Sequence, residues 1–276
     1  MPHLLEVQRA NVAFGSKRGG THKLALRNLS LVLPRAPSIT AIVGESGSGK
    51  TTLTRLMLGL MAPTQGTVCY DGQDLQQMDR AAFVRYRAEV QAVFQDPFSV
   101  YNPFYKVDRV LLLPLLRFGL VATQDEAMQR IRQCLEAVGL RPGDTLGRYP
   151  HQLSGGQRQR IMIARALSLR PRLIVADEPV SMVDASLRAT ILESLYRLKT
   201  EQNVSLLYVT HDLTTAYQIA DRIVVMLGGE IVEEGEPEQV IHAPQHAYTR
   251  ALVAAVPPPD PTIDWGLETG AVAAAA

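Results

Sequence analysis

Ser38–Thr52 reads SITAIVGESGSGKTT, and this stretch decides the fold. Ser38–Val43 is a short apolar run of the kind that makes a buried strand. Gly44, Glu45, Ser46, Gly47, Ser48, Gly49, Lys50 and Thr51 then match G-x-x-x-x-G-K-S/T, and a helix is expected from about Lys50 to Leu60. Strand, glycine-rich loop and helix start are the context such a loop needs. Its glycines let backbone N–H groups turn inward around an anion, and the helix N-terminus adds partial positive charge. Lys50 can reach the β- and γ-phosphates, and the Thr51 hydroxyl can ligate Mg²⁺. Lys50 is expected to be largely solvated when the loop holds no phosphate.

Outward from the loop, Leu4–Phe14 and Leu24–Leu33 are aliphatic-rich strand candidates, and Thr67–Tyr70 follows Pro63 and Gly66. The first hundred residues therefore read as strands with one helix. From roughly Pro97 to Ser168 the pattern is mostly helical. Thr123–Glu126 is T-x-x-E, a capping box, before Ile131, Leu135 and Val138 at helical spacing; Gly139 is the expected stop. Ser154–Gln157 is S-x-x-Q, a second box, ahead of Ile161, Ile163, Ala164 and Leu167. From Leu173 the order is strand, helix, strand, helix, strand. That alternation predicts an α/β fold with a mostly parallel sheet, an antiparallel β-subdomain before it and a helical insertion at about 97–168. Residues 1–256 form one domain in this reading. The Pro- and Ala-rich 257–276 is expected to be a poorly ordered tail.

The chain has 276 residues, 28 Lys plus Arg and 27 Asp plus Glu, giving a net charge of +1. That balance argues against a nucleic-acid partner held by bulk charge. Two cysteines, Cys69 and Cys134, are too few and too distant for a disulfide framework or a Cys-built metal site. The greasiest run, Val110–Leu116, is interrupted by Pro114 and too short to span a bilayer, so any membrane role is expected to be peripheral.

Two further elements carry chemistry. Leu173–Glu178, LIVADE, ends a buried strand in adjacent carboxylates, which are costly there without a cation or a proton. Beside a phosphate loop, Asp177 takes the Mg²⁺-directed role, and Glu178 can accept a proton from an attacking water. Leu153, Ser154, Gly155, Gly156 and Gln157 form LSGGQ, a capped Gly-rich helix start that can also receive an anion.

LSGGQ, the phosphate loop and a strand ending in DE together resemble the ATP-binding cassette (ABC) family, over about residues 4–256. The resemblance implies ATP and Mg²⁺ as ligands and further residue roles. Gln95 in VFQDP matches the family's glutamine loop and, with Thr51 and Asp177, would help hold Mg²⁺. Thr52 joins the nucleotide-binding loop. His211 in YVTHD matches the switch histidine. Phe14 falls where a ring stacks on adenine, or is a core strand residue. Asp184 falls in the dimer-interface loop, where Met182 and Val183 depart from the usual residues. Family members work as head-to-tail pairs, so Ser154 and Gly156 would serve the partner's ATP. FQDPFSVYNP and His246-Ala-Tyr-Thr-Arg-Ala-Leu252 resemble the oligopeptide, dipeptide and nickel importer branch, with Ala247 in place of the usual proline.

The implied protein is the ATPase of an importer at the cytoplasmic face of the plasma membrane. Its implied partners are a second cassette, identical or sibling, two permease subunits and an extracytoplasmic solute-binding protein. Peptides are the default cargo. Glu178–Leu192 and Thr210–Ile219 also resemble an oligosaccharide-uptake sub-branch, and nickel is a third cargo. Ribosome- or DNA-directed cassettes are disfavoured because the chain has one cassette and no sustained heptads, and a non-hydrolysing module is disfavoured by Glu178. His242 and His246, four apart, read as an exposed segment rather than a metal pair.

Overall fold

Five parallel strands without hydrophobic alternation need cover on both faces, and that requirement organises the molecule. The computed structural model describes residues 3–15, 23–96, 98, 100–181, 183 and 185–255. Its elements run β1 (Leu5–Phe14), β2 (Lys23–Leu33), β3 (Ile39–Val43), α1 (Lys50–Met57), β4 (Gln65–Tyr70), β5 (Gln73–Asp74), α2 (Arg80–Glu89) and β6 (Val90–Val93). Then come α3 (Val107–Arg117), α4 (Gln124–Ala137), α5 (Pro142–Thr145), α6 (Gly155–Ser168), β7 (Leu173–Asp177), α7 (Ala185–Gln202) and β8 (Ser205–Thr210). The last are α8 (Leu213–Ile219), β9 (Arg222–Leu227), β10 (Glu230–Gly235), α9 (Pro237–His242) and α10 (Ala247–Ala254).

The larger sheet has the order β10-β9-β3-β8-β7-β6. All its neighbours pair in parallel except β10, which runs antiparallel to β9. Alternate residues of each strand feed two separate cores. Ile39, Ala41 and Val43 of β3 join Ile174, Ala176, Leu206, Tyr208, Ile223 and Val225 under the helices. Ile42 joins Leu173, Val175, Leu207, Val209, Val224 and Met226 beneath α1 and the smaller sheet. That smaller sheet, β2-β1-β4-β5, is antiparallel throughout.

Helices α3–α6 lie between β6 and β7 in the chain, over the stretch expected to be helical. In α3, Val107, Leu111 and Leu115 are buried, while Leu113 and Leu116 face out, so the greasy run is a helix with one core face. Among the described residues no helix is long and apolar enough to cross a membrane.

Four local expectations change. Helix α2 sits in the region read as strands; Asp79 caps it by accepting from Ala82 N–H at 2.7 Å. Only Tyr86 of α2 is buried, so its apolar stripe is too thin to announce a helix. Helix α1 ends at Met57 rather than near Leu60, with Gly59 in the left-handed region behind it. Thr123 does cap α4, but Glu126 reaches back to Ala122 N–H at 2.8 Å instead of to the cap residue. Finally, β10 adds an antiparallel edge.

Candidate functional site

The carboxyl ends of four consecutive strands deliver the candidate residues side by side. In sheet order β3-β8-β7-β6, they carry the phosphate loop, His211, Asp177 with Glu178, and Gln95. Ligands of parallel α/β sheets gather at this end.

The loop's shape depends on two glycines. A Cβ on Gly44, at φ 154°, would collide with the Met226 carbonyl of β9. One on Gly49, at φ 106°, would stand 2.6 Å from the Ala25 carbonyl of β2. Glu45, Ser46 and Gly47 are exposed, as is Thr51 in the first turn of α1, with Thr52 half-buried behind it. Ser48 Oγ is buried and, among the described residues, has no hydrogen-bond partner.

Lys50 corrects an expectation. It is buried, at 7% exposure, and Nζ donates to the carbonyls of Gly44 at 2.6 Å and Glu45 at 2.8 Å. The ammonium turns back onto its own loop, because a buried cation must have acceptors. Burial lowers its pKa, against the opposing pull of Glu178, Asp177 and Glu45.

Asp177 and Glu178 diverge although adjacent. Asp177 continues the β7 register opposite Val209, with Thr54 Oγ1 at 3.5 Å from its Oδ2. Burial and then the Glu178 charge raise its pKa, opposed by Lys50 and the Thr54 hydroxyl. Glu178 turns off the strand at φ 47°. Its N–H is held by the Val209 carbonyl at 2.8 Å, and its carbonyl accepts from Ser181 N–H and Oγ. The rotated carboxylate accepts from Gln95 Nε2 at 2.8 Å on one oxygen and meets His211 Nδ1 at 3.2 Å on the other.

An incoming divalent cation would offset both the burial and the Glu178 charge that raise the Asp177 pKa. Among the described residues no three His, Cys, Asp or Glu side chains cluster to hold a metal alone. Mg²⁺ keeps waters and phosphate oxygens in its shell and takes one or two carboxylates from protein, and the Asp177 carboxylate with the exposed Thr51 beside the loop could supply protein ligands of that kind.

Phe14 ends β1, its ring about half exposed at 49%, so it is not a core strand residue. Its strand partner is Lys23, two positions before the Ala25 that presses on Gly49. Phe14 thus lies at the end of β1, paired with the strand whose Ala25 presses on the loop. Asp184 lies outside the described residues.

Leu153–Gln157 stands apart from this cluster. Ser154 Oγ accepts from Gln157 N–H at 3.2 Å, and Gln157 Oε1 accepts from Ser154 N–H at 2.9 Å, closing the expected box at the start of α6. A Cβ on Gly156 would meet the Leu187 side chain at 2.6 Å, and one on Gly155 the Phe98 ring at 3.6 Å. Among the described residues, no hydrogen bond of Ser154–Gln157 reaches the phosphate loop, Asp177, Glu178 or His211.

One contact that no quoted motif announces by itself joins two of them, the phosphate loop and His246–Leu252: Glu45 N–H donates to the Tyr248 hydroxyl at 2.8 Å. A separation of 203 residues leaves no local signal of it.

A family model described as ABC transporter matches residues 26–181, and one described as oligopeptide/dipeptide transporter, C-terminal region, matches residues 232–275. The chain is 39% identical over 260 residues to the dipeptide transport ATP-binding protein DppF of Lactococcus lactis subsp. cremoris, covering 94% of this chain and 82% of that one. It is 38% identical over 262 residues to the oligopeptide transport ATP-binding protein OppF of Streptococcus pyogenes serotype M1, covering 95% and 84%. Among solved structures, the dimeric post-hydrolysis state of an ATP-binding cassette bound to ADP and Pi superposes with a TM-score of 0.75 at 28% identity, over 84% of this chain and 98% of that one. A model match over more than half of the 276 residues, relatives near 40% identity and a shared cassette fold place the chain in the ABC transporter family, as an ATP-hydrolysing cassette.

Proposed function

We propose that this cassette is the motor of a peptide importer and that the residues gathered at the strand ends divide the work of hydrolysis. The observation that carries this reading is the Glu178 carboxylate, held between Gln95 and His211 one residue past Asp177. A carboxylate fixed on both oxygens at the end of a buried strand is a positioned general base.

Lys50 leaves the Gly44 and Glu45 carbonyls for the nucleotide phosphates, and the amides of residues 44–52 line the same anion. Phe14 offers its exposed ring to the adenine. Thr51, Asp177 and the Gln95 amide oxygen would hold Mg²⁺, which when bound neutralises phosphate charge. Glu178 orients and deprotonates water, and His211 contacts the γ-phosphate. Leu153–Gln157 presents its capped helix start to the ATP of a second cassette. ATP is then the shared ligand of the closed pair, and hydrolysis removes the phosphate that bridges it. Asp184 belongs to the pair's interface in this reading. The remaining partners are two permease subunits and an extracytoplasmic solute-binding protein, with the cassette peripheral on the cytoplasmic face of the membrane.

Peptide cargo is supported by the similarity to dipeptide and oligopeptide transport ATP-binding proteins and by the C-terminal region match. The test is calorimetric titration of the solute-binding protein that serves this importer with di- and oligopeptides, oligosaccharides and Ni²⁺. Tight peptide binding is expected. Binding of a sugar or Ni²⁺ with no peptide response overturns the cargo and leaves the motor role standing.

A further inference from the structure

Glu45 has both backbone groups committed. Its carbonyl accepts from Lys50 Nζ at 2.8 Å and from Ser48 N–H at 3.2 Å, both inside the phosphate loop. Its N–H leaves the loop and donates to the Tyr248 hydroxyl at 2.8 Å. Another tie from the loop to the scaffold is Gly229 N–H to the Ser48 carbonyl, 2.9 Å, at the loop's far end.

The tyrosine is a braced arm. Tyr248 N–H donates to His246 Nδ1 at 3.2 Å, where His246 caps α10. The Glu233 carboxylate of β10 accepts from the N–H groups of Gln245 at 2.7 Å and His246 at 2.9 Å, fixing the turn that leads into α10. Tyr248, Leu252 and Val253 pack against the helical-side core. The strand β10, the turn and the helix therefore place one hydroxyl against one peptide of the phosphate loop.

We propose that Tyr248 is a positioning residue for the phosphate loop, holding the Glu45 peptide so that Lys50 and the loop amides are arranged for nucleotide before it arrives. The proposal rests on the reading of Gly44–Thr52 as the ATP site. The loop carries three glycines at positive φ, so untied it samples many conformations. Affinity falls in proportion to the fraction of molecules in the competent arrangement, and a tether raises that fraction. Through the same bond, α10 and the phosphate loop are mechanically joined.

The test uses the full chain and Tyr248→Phe, which removes only the hydroxyl. MgATP affinity is measured by calorimetry, Glu45 amide exchange by deuterium uptake, and stability by thermal melting without nucleotide. Expected are affinity weakened roughly three- to tenfold, faster Glu45 exchange and a melting temperature close to wild type. Glu233→Gln, which loosens the turn, is expected to weaken affinity in the same direction, and the double variant to be no weaker than Tyr248→Phe alone. Wild-type affinity and wild-type Glu45 exchange in Tyr248→Phe overturn the proposal, and so does a lowered melting temperature with unchanged affinity. Lys50→Ala separates the two readings: if it binds MgATP as wild type does, the ATP-site reading has failed whatever Tyr248 does.

Discussion

The Glu178 carboxylate and the His211 ring meet across the ends of two neighbouring strands, Oε1 to Nδ1 at 3.2 Å. The carboxylate side chain is 18% exposed and the ring 60%, so the carboxylate is sheltered while the histidine faces outward. Gln95 holds the other carboxylate oxygen at 2.8 Å. Three strand ends thus converge on one carboxylate, and its left-handed backbone at φ 47° points it away from Asp177. A bulky residue persists in that region only where its surroundings over-determine it, and Val209 and Ser181 do so here.

Glu178→Gln is therefore expected to keep ATP binding and to lose hydrolysis, by roughly a hundred- to ten-thousandfold. The amide preserves shape and hydrogen bonding but cannot take a proton from water at neutral pH. The measurement is turnover and nucleotide occupancy in the assembled transporter with the partner cassette's own base disabled. Near-wild-type turnover would remove Glu178 from the role.

Lys50→Ala is expected to weaken ATP binding and abolish turnover, and it also bears on the empty protein. Because Nζ is buried on the Gly44 and Glu45 carbonyls, its loss should lower stability without nucleotide by about 1–2 kcal/mol, the relief of burying a cation offsetting part of two bonds. Thermal melting of the nucleotide-free variant checks this. An unchanged melting temperature would mean that Nζ is solvated in the empty loop, as the sequence alone suggested.

Local motifs were legible and long-range constraints were not. The loop from Gly44 to Thr51, the box at Ser154 and Gln157 and the carboxylates after β7 are contiguous patterns whose residue types dictate their geometry. The buried strands announced themselves because both faces are covered. By contrast, β10 reads EIVEEG, an edge strand whose glutamates disguise its alternation, although Glu233 is what braces α10. The turn of Glu178 is imposed by the Val209 carbonyl of the next strand, and the bond from Glu45 to Tyr248 joins residues 203 apart in the chain. The capture of Lys50 follows from closing the loop against β2 and β9, which no spacing within the motif encodes.

Alkali should unfold the protein through its buried tyrosines. Burial raises the hydroxyl pKa of Tyr86, Tyr101 and Tyr208, Tyr208 to about 12. An unfolded tyrosine gives up its proton near pH 10, so above that the unfolded state binds fewer protons than the folded one. Stability from this source is complete below about pH 10 and is lost as pH rises toward the folded values, by about 1.4 kcal/mol per tyrosine at about pH 11. Lys50 works in the opposite sense, since its folded value lies below 10.5. Denaturant midpoints across this range and tyrosinate absorbance check the sign. Full tyrosinate absorbance near pH 10 with the fold intact would refute it.

Ser154→Arg tests whether the capped start of α6 serves a second molecule. Ser154 and Gln157 satisfy each other, and among the described residues no hydrogen bond ties them to this chain's own phosphate loop. If their ligand is the γ-phosphate of a partner's ATP, a long cation at this position should obstruct closure of the pair without touching the loop that binds this chain's nucleotide. Losing the cap should cost about 1 kcal/mol of local helix stability, small enough to leave the fold intact. The expected outcome is wild-type MgATP affinity in the isolated chain, with pair formation and transport-coupled turnover lost. Ser154→Ala supplies the control: it removes the cap without adding bulk, so it should keep part of the turnover that the arginine abolishes. If the isolated chain's affinity for MgATP fell as far as turnover did in Ser154→Arg, the helix start would be acting on its own nucleotide, and the cross-chain arrangement would be wrong.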